Sequence, residues 1–91
     1  MGYSYPIDTS WTMEELLAVM DLFRIVEKAY EGGVGLSEVN ECYRAFKNMG
    51  FSMSDEKQLN SAFEKVSGYS MYEVLKACKR GDKFIRLKVG S

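Results

Sequence analysis

Acidic side chains crowd the first half of the chain, and they are the residues with the clearest potential for chemistry. They are Glu14, Glu15, Asp21, Glu27, Glu31, Glu38 and Glu41. Paired carboxylates can act as general acid and base or hold a divalent cation. Glu14 and Glu15, however, fit the first turn of a helix, and Asp21 lies at helical spacing from Arg24 and Lys28. The chain also has no histidine, the commonest general base. We therefore expect no catalytic residue, no metal site and no cofactor.

The end of the chain is rich in cations. They are Lys76, Lys79, Arg80, Lys83, Arg86 and Lys88. Interleaved with Phe84, such a run could neutralise several phosphates of a nucleic acid. A helix C-terminus favours cations by itself, however, and a DNA-reading helix would want Asn, Gln or Arg where this chain has Met71, Tyr72 and Glu73. Weak nucleic-acid binding through these cations is therefore the alternative function. The acidic first half and the basic end could equally complement each other within the domain or across a dimer.

Aromatic residues flank two predicted helix starts. They are Tyr3, Tyr5, Trp11, Tyr69 and Tyr72. One interpretation is packing of an N-terminal arm and of residues beside the helix caps. The other is a partner-binding surface, because Tyr and Trp dominate interface hot spots. The sequence leaves both open, and Trp11, Tyr69 and Tyr72 are our candidate partner-binding residues.

The length of the chain indicates a single small domain, residues 1–91. Its hydrophobic content is 46% and its aromatic content 13%, which suffices for a single core. The net charge of −1 provides no strong field to attract nucleic acid or an anionic membrane. We expect neither a signal peptide nor a membrane span, and hence a cytoplasmic protein. Cys42 and Cys78 fall on the apolar stripes of predicted helices, which favours core thiols over one disulfide.

Capping signals predict where the helices begin. Thr12 and Ser70 are each followed three residues later by Glu, with an aromatic residue before and an aliphatic one after, which is a capping box with a hydrophobic staple. Ser37 is the predicted cap of a second helix, and Ser52 or Ser54 that of a third. The predicted helices span about residues 13–31, 37–48, 55–66 and 71–80.

The remaining segments are predicted to be an arm, a connector and a tail. Residues 1–11 should form an extended aromatic arm across the helices. The glycine-rich connector at 32–35 lacks the lysine and the serine or threonine of a phosphate-binding loop. The tail, 82–91, alternates like a strand around Phe84 and Ile85, but no partner strand is expected in a helical chain. We therefore expect an extended, partly docked tail. In the third helix we expect Leu59, Ala62, Phe63 and Val66 to face the core.

Several strings resemble the YktA-like family of small uncharacterised proteins from Gram-positive bacteria, over about residues 3–80. These strings are Ser4-Tyr5-Pro6-Ile7-Asp8, Ser10-Trp11-Thr12-Met13-Glu14-Glu15, Val26-Glu27-Lys28-Ala29-Tyr30-Glu31, Tyr43-Arg44-Ala45-Phe46-Lys47, Glu56-Lys57-Gln58-Leu59 and Phe63-Glu64-Lys65-Val66-Ser67-Gly68-Tyr69-Ser70. The sequence departs from the family pattern at residues 50–54, before the third helix. The resemblance implies a small all-α domain of the bacterial cytoplasm and assigns no activity or catalytic residue.

We therefore expect an all-α fold, a compact array of about four helices with an extended aromatic N-terminal arm. The leading function is a non-catalytic module that binds another protein or itself.

Overall fold

The computed structural model describes residues 3–89, so the outer two residues of the predicted arm and tail lie outside it. Within that span there are four helices and one short antiparallel ribbon, and the predicted all-α fold class is confirmed. In chain order the elements are α1 (Met13–Glu31), β1 (Val34–Gly35), α2 (Leu36–Asn48), α3 (Met53–Ser67), α4 (Met71–Arg80) and β2 (Phe84–Ile85).

Helix α1 is the central element. It begins at a complete capping box, in which the Glu15 backbone N–H donates to Thr12 Oγ1 and the Thr12 N–H donates to Glu15 Oε1, at 3.1 and 2.8 Å. Its inner face packs against α2, α4 and β1, and its Phe23 ring stacks on Phe63 of α3 with 4.4 Å between ring centroids. The buried residues of this face are Ala18, Val19, Leu22, Phe23, Ile25, Val26 and Ala29. Apolar residues at helical spacing therefore place α1 in the middle of the core.

Helix α3 begins two residues earlier than predicted. A second complete capping box, between Ser52 and Asp55, decides the choice between the two candidate serines, and Met53 is the first helical residue. The expectation that Val66 faces the core is wrong, because its last-turn side chain is 43% exposed. Leu59 and Phe63 belong to the buried cluster, and the last turn of α3 extends past it.

Helix α2 begins one residue earlier than predicted, whereas α4 has the predicted bounds but only part of the predicted capping box. Ser37 is not the cap of α2, since Gly35 occupies that position and the Leu36 N–H donates to the Lys83 carbonyl of the tail, at 2.9 Å. At α4, Ser70 Oγ accepts from the Glu73 N–H, which is half of the predicted box. The Ser70 N–H bonds instead to the Tyr30 hydroxyl. At both helix starts a residue distant in the sequence accepts a hydrogen bond from a backbone N–H.

The tail does have a strand partner, contrary to the prediction. Val34 of the glycine-rich connector pairs with Ile85, and Gly35 pairs with Phe84, in an antiparallel register. Val34 and Ile85 are both buried, and the Leu87 N–H donates to the Ala29 carbonyl at 2.8 Å. The ribbon therefore fixes the tail against the end of α1.

The N-terminal arm lies across α1 and α3, as predicted. Tyr3 and Tyr5 both donate their hydroxyl hydrogens to the carboxylate of Glu27, the latter at 2.6 Å. The Tyr5 ring makes edge-to-face contacts with Phe23 and Phe63, at 5.4 and 6.0 Å. Burial, followed by the hydrogen bond to Glu27, raises the pKa of Tyr5 to about 12. The arm is thus held by aromatic packing and by one shared carboxylate.

Candidate functional site

A groove runs along α4, between α2 and α3, and has a volume of about 470 Å³. We call it the α4 groove. Its apolar lining includes Met53, Met71, Tyr72, Leu75 and Cys78, and its charged lining includes Glu56, Lys57, Lys76 and Lys79. Met71 is buried and Leu75 half-buried, while Met53 and Tyr72 remain exposed at the rim.

The position of α4 is set by residues from other helices. The Tyr30 hydroxyl accepts from the Ser70 N–H at 3.2 Å, and Asn60 Oδ1 accepts from the Met71 N–H at 3.0 Å. Met71, Val74 and Ala77 are buried and anchor one face of the helix. Because backbone donors at a helix start need partners, these two side chains fix where α4 begins and which face it turns to the groove.

The polar wall of the groove is built around Glu56 of α3. Its carboxylate accepts from the Tyr43 hydroxyl, at 3.0 Å, and from Lys47 Nζ, also at 3.0 Å. Burial, and next the bond to Glu56, raises the pKa of Tyr43, while the bond to Glu56 raises the pKa of Lys47. The negative charge of Glu56 is therefore already compensated within the protein.

The exposed rim is formed by Tyr72 and Met53. Tyr72 is 58% exposed, and Lys76 Nζ lies 5.5 Å from the centroid of its ring. Met53 is 64% exposed. A cation near the face of an aromatic ring is attracted by the ring quadrupole, which holds the two side chains together at the surface.

The other two predicted partner-binding residues lie elsewhere and pack internally. Trp11 is half-buried, with its ring edge-on to Phe51 at 5.8 Å. Tyr69 stacks on Tyr30 at 4.7 Å, and its hydroxyl donates to Glu31 at 2.8 Å. The bond to Glu31, with a smaller effect of burial, raises the pKa of Tyr69. Trp11 and Tyr72 line different depressions.

The predicted basic residues are also divided. Lys76 and Lys79 line the α4 groove, and Lys76 lies 3.9 Å from the Glu73 carboxylate. Arg80 pairs with Asp82 at 2.8 Å. Lys83, Arg86 and Lys88 are exposed residues beyond the end of α4, along the ribbon and the tail. Of the six cations, Lys76 and Lys79 are therefore the two that line the α4 groove.

Comparison with known proteins identifies the family. The model of a family described as "Uncharacterised protein family (UPF0223)" matches residues 2–85. The chain belongs to the UPF0223 family. It is 47% identical over 81 residues to a UPF0223 protein of Streptococcus pneumoniae strain CGSP14, covering 89% of this chain and 88% of that protein. It is 43% identical over 83 residues to a UPF0223 protein of Bacillus pumilus strain SAFR-032, covering 91% and 93%. The expected membership in a family of small uncharacterised Gram-positive proteins is confirmed.

Sequence reasoning missed the α3 side of the groove in this UPF0223 protein. Met53 and Lys57 are four residues apart, so they share a helix face because α3 is capped by Ser52 and starts at Met53. Placing the start of α3 at residue 55 put Met53 outside the helix. The capping pair Ser52 and Asp55 was the signal that could have revealed this face.

A second, more open depression of about 610 Å³ lies beside the arm of the UPF0223 protein, around Trp11. Its three carboxylates are Asp8, Glu15 and Asp55, and each accepts hydrogen bonds from its own turn or helix cap. The Ser10 N–H and hydroxyl lower the pKa of Asp8. Across residues 3–89, no group of three or more His, Cys, Asp and Glu side chains is placed to hold a metal ion.

Cys42 and Cys78 are half-buried and unbridged, and burial raises the pKa of both thiols.

Among the helices that the structure describes, none combines the length and the apolar character needed to cross a bilayer.

Proposed function

We propose that this protein is a non-catalytic protein–protein interaction module of the bacterial cytoplasm, and that it binds its partner in the α4 groove. The observation that carries the proposal is the exposed pair Tyr72 and Met53 above an apolar floor. Tyr and Met are enriched at protein interfaces, and a flexible thioether adapts to the shape of a partner. Burying these side chains would provide apolar contact area at a rim that is otherwise charged.

Tyr72 is the strongest of the three predicted partner-binding residues. Trp11 and Tyr69 each have an aromatic partner inside the protein, Phe51 and Tyr30 respectively. Their rings already contribute to packing, so we assign them a role in stability. Tyr72 instead contacts the surface residue Lys76.

The groove offers little support for catalysis. Its carboxylate, Glu56, is engaged by Tyr43 and Lys47. Its thiol, Cys78, has a pKa raised by burial, whereas a nucleophilic cysteine needs a lowered pKa. Binding is therefore the better-supported role.

The proposal is tested by affinity capture from an extract of a bacterium that encodes a UPF0223 protein, with quantitative mass spectrometry. The bait proteins are the wild type, Tyr72→Ser, and Leu17→Ser as a matched control, because Leu17 is 52% exposed but lies on α1, outside the groove. We expect at least one protein to be enriched by the wild type and the control and lost with Tyr72→Ser. Identical sets of captured proteins with all three baits would refute the proposal, provided thermal unfolding shows that all three are folded.

The alternative, weak nucleic-acid binding, is less well supported by the charges. Glu73 lies beside Lys76, and Asp82 neutralises Arg80. Its test is retention on immobilised nucleic acid at low salt and its loss when Lys79, Arg80 and Lys83 are replaced by Glu. Strong salt dependence of retention would support phosphate contacts.

A further inference from the structure

We infer that the α4 groove binds an acidic, amphipathic helical segment of the partner protein, an inference that rests on the proposed function. The first argument is charge. Three lysines line the groove, Lys57, Lys76 and Lys79, whereas its carboxylate Glu56 is already bonded to Lys47. Two further acids lie near the groove: Glu73 lies beside Lys76 at 3.9 Å, and Asp82, which is near Cys78, is paired with Arg80. The groove therefore presents an excess of positive charge to whatever enters it, and carboxylates of a partner complement that charge.

The second argument is the pattern of side chains on α4. Tyr72, Leu75, Lys76 and Lys79 stand at positions i, i+3, i+4 and i+7, so they follow one face of the helix. Along this face two apolar side chains are followed by two cations. A partner helix with apolar residues at the same spacing and acidic residues beside them matches it in both respects, as in other helix-in-groove complexes.

The third argument is size. Helix α4 has 10 residues and is therefore about 15 Å long. A helical segment of about three turns spans that length, which is a common size for a peptide bound in a groove. Met53 and Met71 line the groove, and their flexible side chains can adjust to the apolar anchors of such a segment.

Other occupants fit less well. A nucleic acid is held mainly through phosphate contacts, but Glu73 lies beside Lys76, and the groove floor is apolar. A second copy could offer the outer face of its α1, where Met13 and Leu17 are exposed. That contact would join two different surfaces, so it would close into a two-fold dimer only if each copy made both halves of it at once. The competition experiments below distinguish a nucleic acid and a second copy from a helical peptide.

The first experiment is a selection from a displayed library of random peptides about 16 residues long, enough for four helical turns. The bait is the folded wild-type protein, and Tyr72→Ser is used for counter-selection. We expect the enriched peptides to be net acidic, with apolar residues at helical spacing. Enrichment of basic or uncharged peptides, or no enrichment over the counter-selected variant, would overturn the inference.

The second experiment measures binding of one enriched peptide by fluorescence anisotropy. The double variant Lys76→Glu, Lys79→Glu should weaken binding by about tenfold or more, since two attractive charges become repulsive. Lys65→Glu is the control, because Lys65 is an exposed cation of α3 outside the groove, and its change should stay within about twofold. Equal losses in both variants would contradict charge recognition at the groove.

Two competitors separate the remaining occupants. Displacement of the peptide by single-stranded oligothymidine at lower concentration than by unlabelled peptide would reassign the groove to nucleic acid. Concentration-dependent oligomers that disappear with Leu17→Ser would reassign it to a second copy of the chain. If the peptide selection fails while extract capture still depends on Tyr72, the partner chemistry is wrong and the proposed function stands. If both fail, both proposals are wrong.

Discussion

The hydroxyl of Tyr30, in the last turn of α1, accepts a hydrogen bond from the backbone N–H of Ser70, with 3.2 Å between the two atoms. Burial raises the pKa of Tyr30 in spite of this bond. The contact joins residues that are 40 positions apart in the sequence. In a complete capping box the Glu73 side chain would accept from the Ser70 N–H, but here the Tyr30 hydroxyl accepts instead. The α4 groove depends on it, because it fixes where α4 begins.

Replacing Tyr30 by Phe should therefore lower the free energy of unfolding by about 1–2 kcal/mol, because the Ser70 N–H loses its acceptor. Tyr69→Phe is the matched control, since it removes only an exposed bond to Glu31 and should cost much less. Urea denaturation of both variants measures the difference. Equal costs would show that the Tyr30 bond contributes no more than a surface bond.

Replacing Ser52 by Ala should lower the free energy of unfolding by about 1 kcal/mol, because Ser52 caps α3 in a complete box with Asp55. Ser54→Ala is the control and should be nearly neutral, because Ser54 is inside the first turn. Thermal unfolding followed by circular dichroism distinguishes the two. A larger cost at Ser54 would place the start of α3 later than the structure does.

Replacing Gly33 by Ala should lower the free energy of unfolding by about 1–3 kcal/mol, because the φ of this residue is 115°, a backbone conformation that residues other than glycine rarely adopt. The added carbon would also overlap the Phe84 ring. Gly35→Ala should cost less, since its φ is −74° and no atom lies within 4 Å of the added carbon. In a Phe84→Ala background, Gly33→Ala should still lower the free energy of unfolding by most of that amount. Full recovery there would assign the cost to the ring instead of the backbone.

Stability should fall at alkaline pH through the tyrosines of the arm. The pKa of Tyr5 is raised from 10.0 to about 12, so the neutral phenol is favoured in the folded state. This contribution is fully present below pH 10.0 and is lost as the pH rises through about 12. Replacing Tyr3 and Tyr5 by Phe should flatten the decline of the free energy of unfolding over that range, measured by urea denaturation at several pH values. Parallel pH profiles for the variant and the wild type would contradict this account.

Trp11 and Tyr72 should respond differently to truncation. Trp11→Ala removes a half-buried ring that contacts Phe51 and should cost about 1–3 kcal/mol of folding stability. Tyr72→Ala removes an exposed ring and should change stability by about 0.5 kcal/mol or less. Calorimetry on the two single variants tests this. A large loss at Tyr72 would make that residue structural and remove the main support for the proposed binding surface.

The local features of the fold were predictable from the sequence. The box at Thr12 and Glu15 forms as expected, and the apolar stripe of α1 is buried, because caps and amphipathic faces depend on residues three or four positions apart. The assignment of Tyr72 as an interface residue, made from its type and its place beside the Ser70 cap, stays a prediction. The groove around it was not predictable, because Met53 and Lys57 reach it only through the packing of α3 beside α4.

The sequence by itself determined the helical class, the family and the cap at Thr12, since each follows from neighbouring residues or from a string of them. Only the tertiary structure decided that Val34 pairs with Ile85, that Tyr3 and Tyr5 share the Glu27 carboxylate, and that Tyr30 replaces half of the box at Ser70. The physical reason is that a backbone or hydroxyl group forms its hydrogen bond with any suitable partner that the fold brings within reach. A local pattern specifies one such partner, and packing between distant segments can supply another.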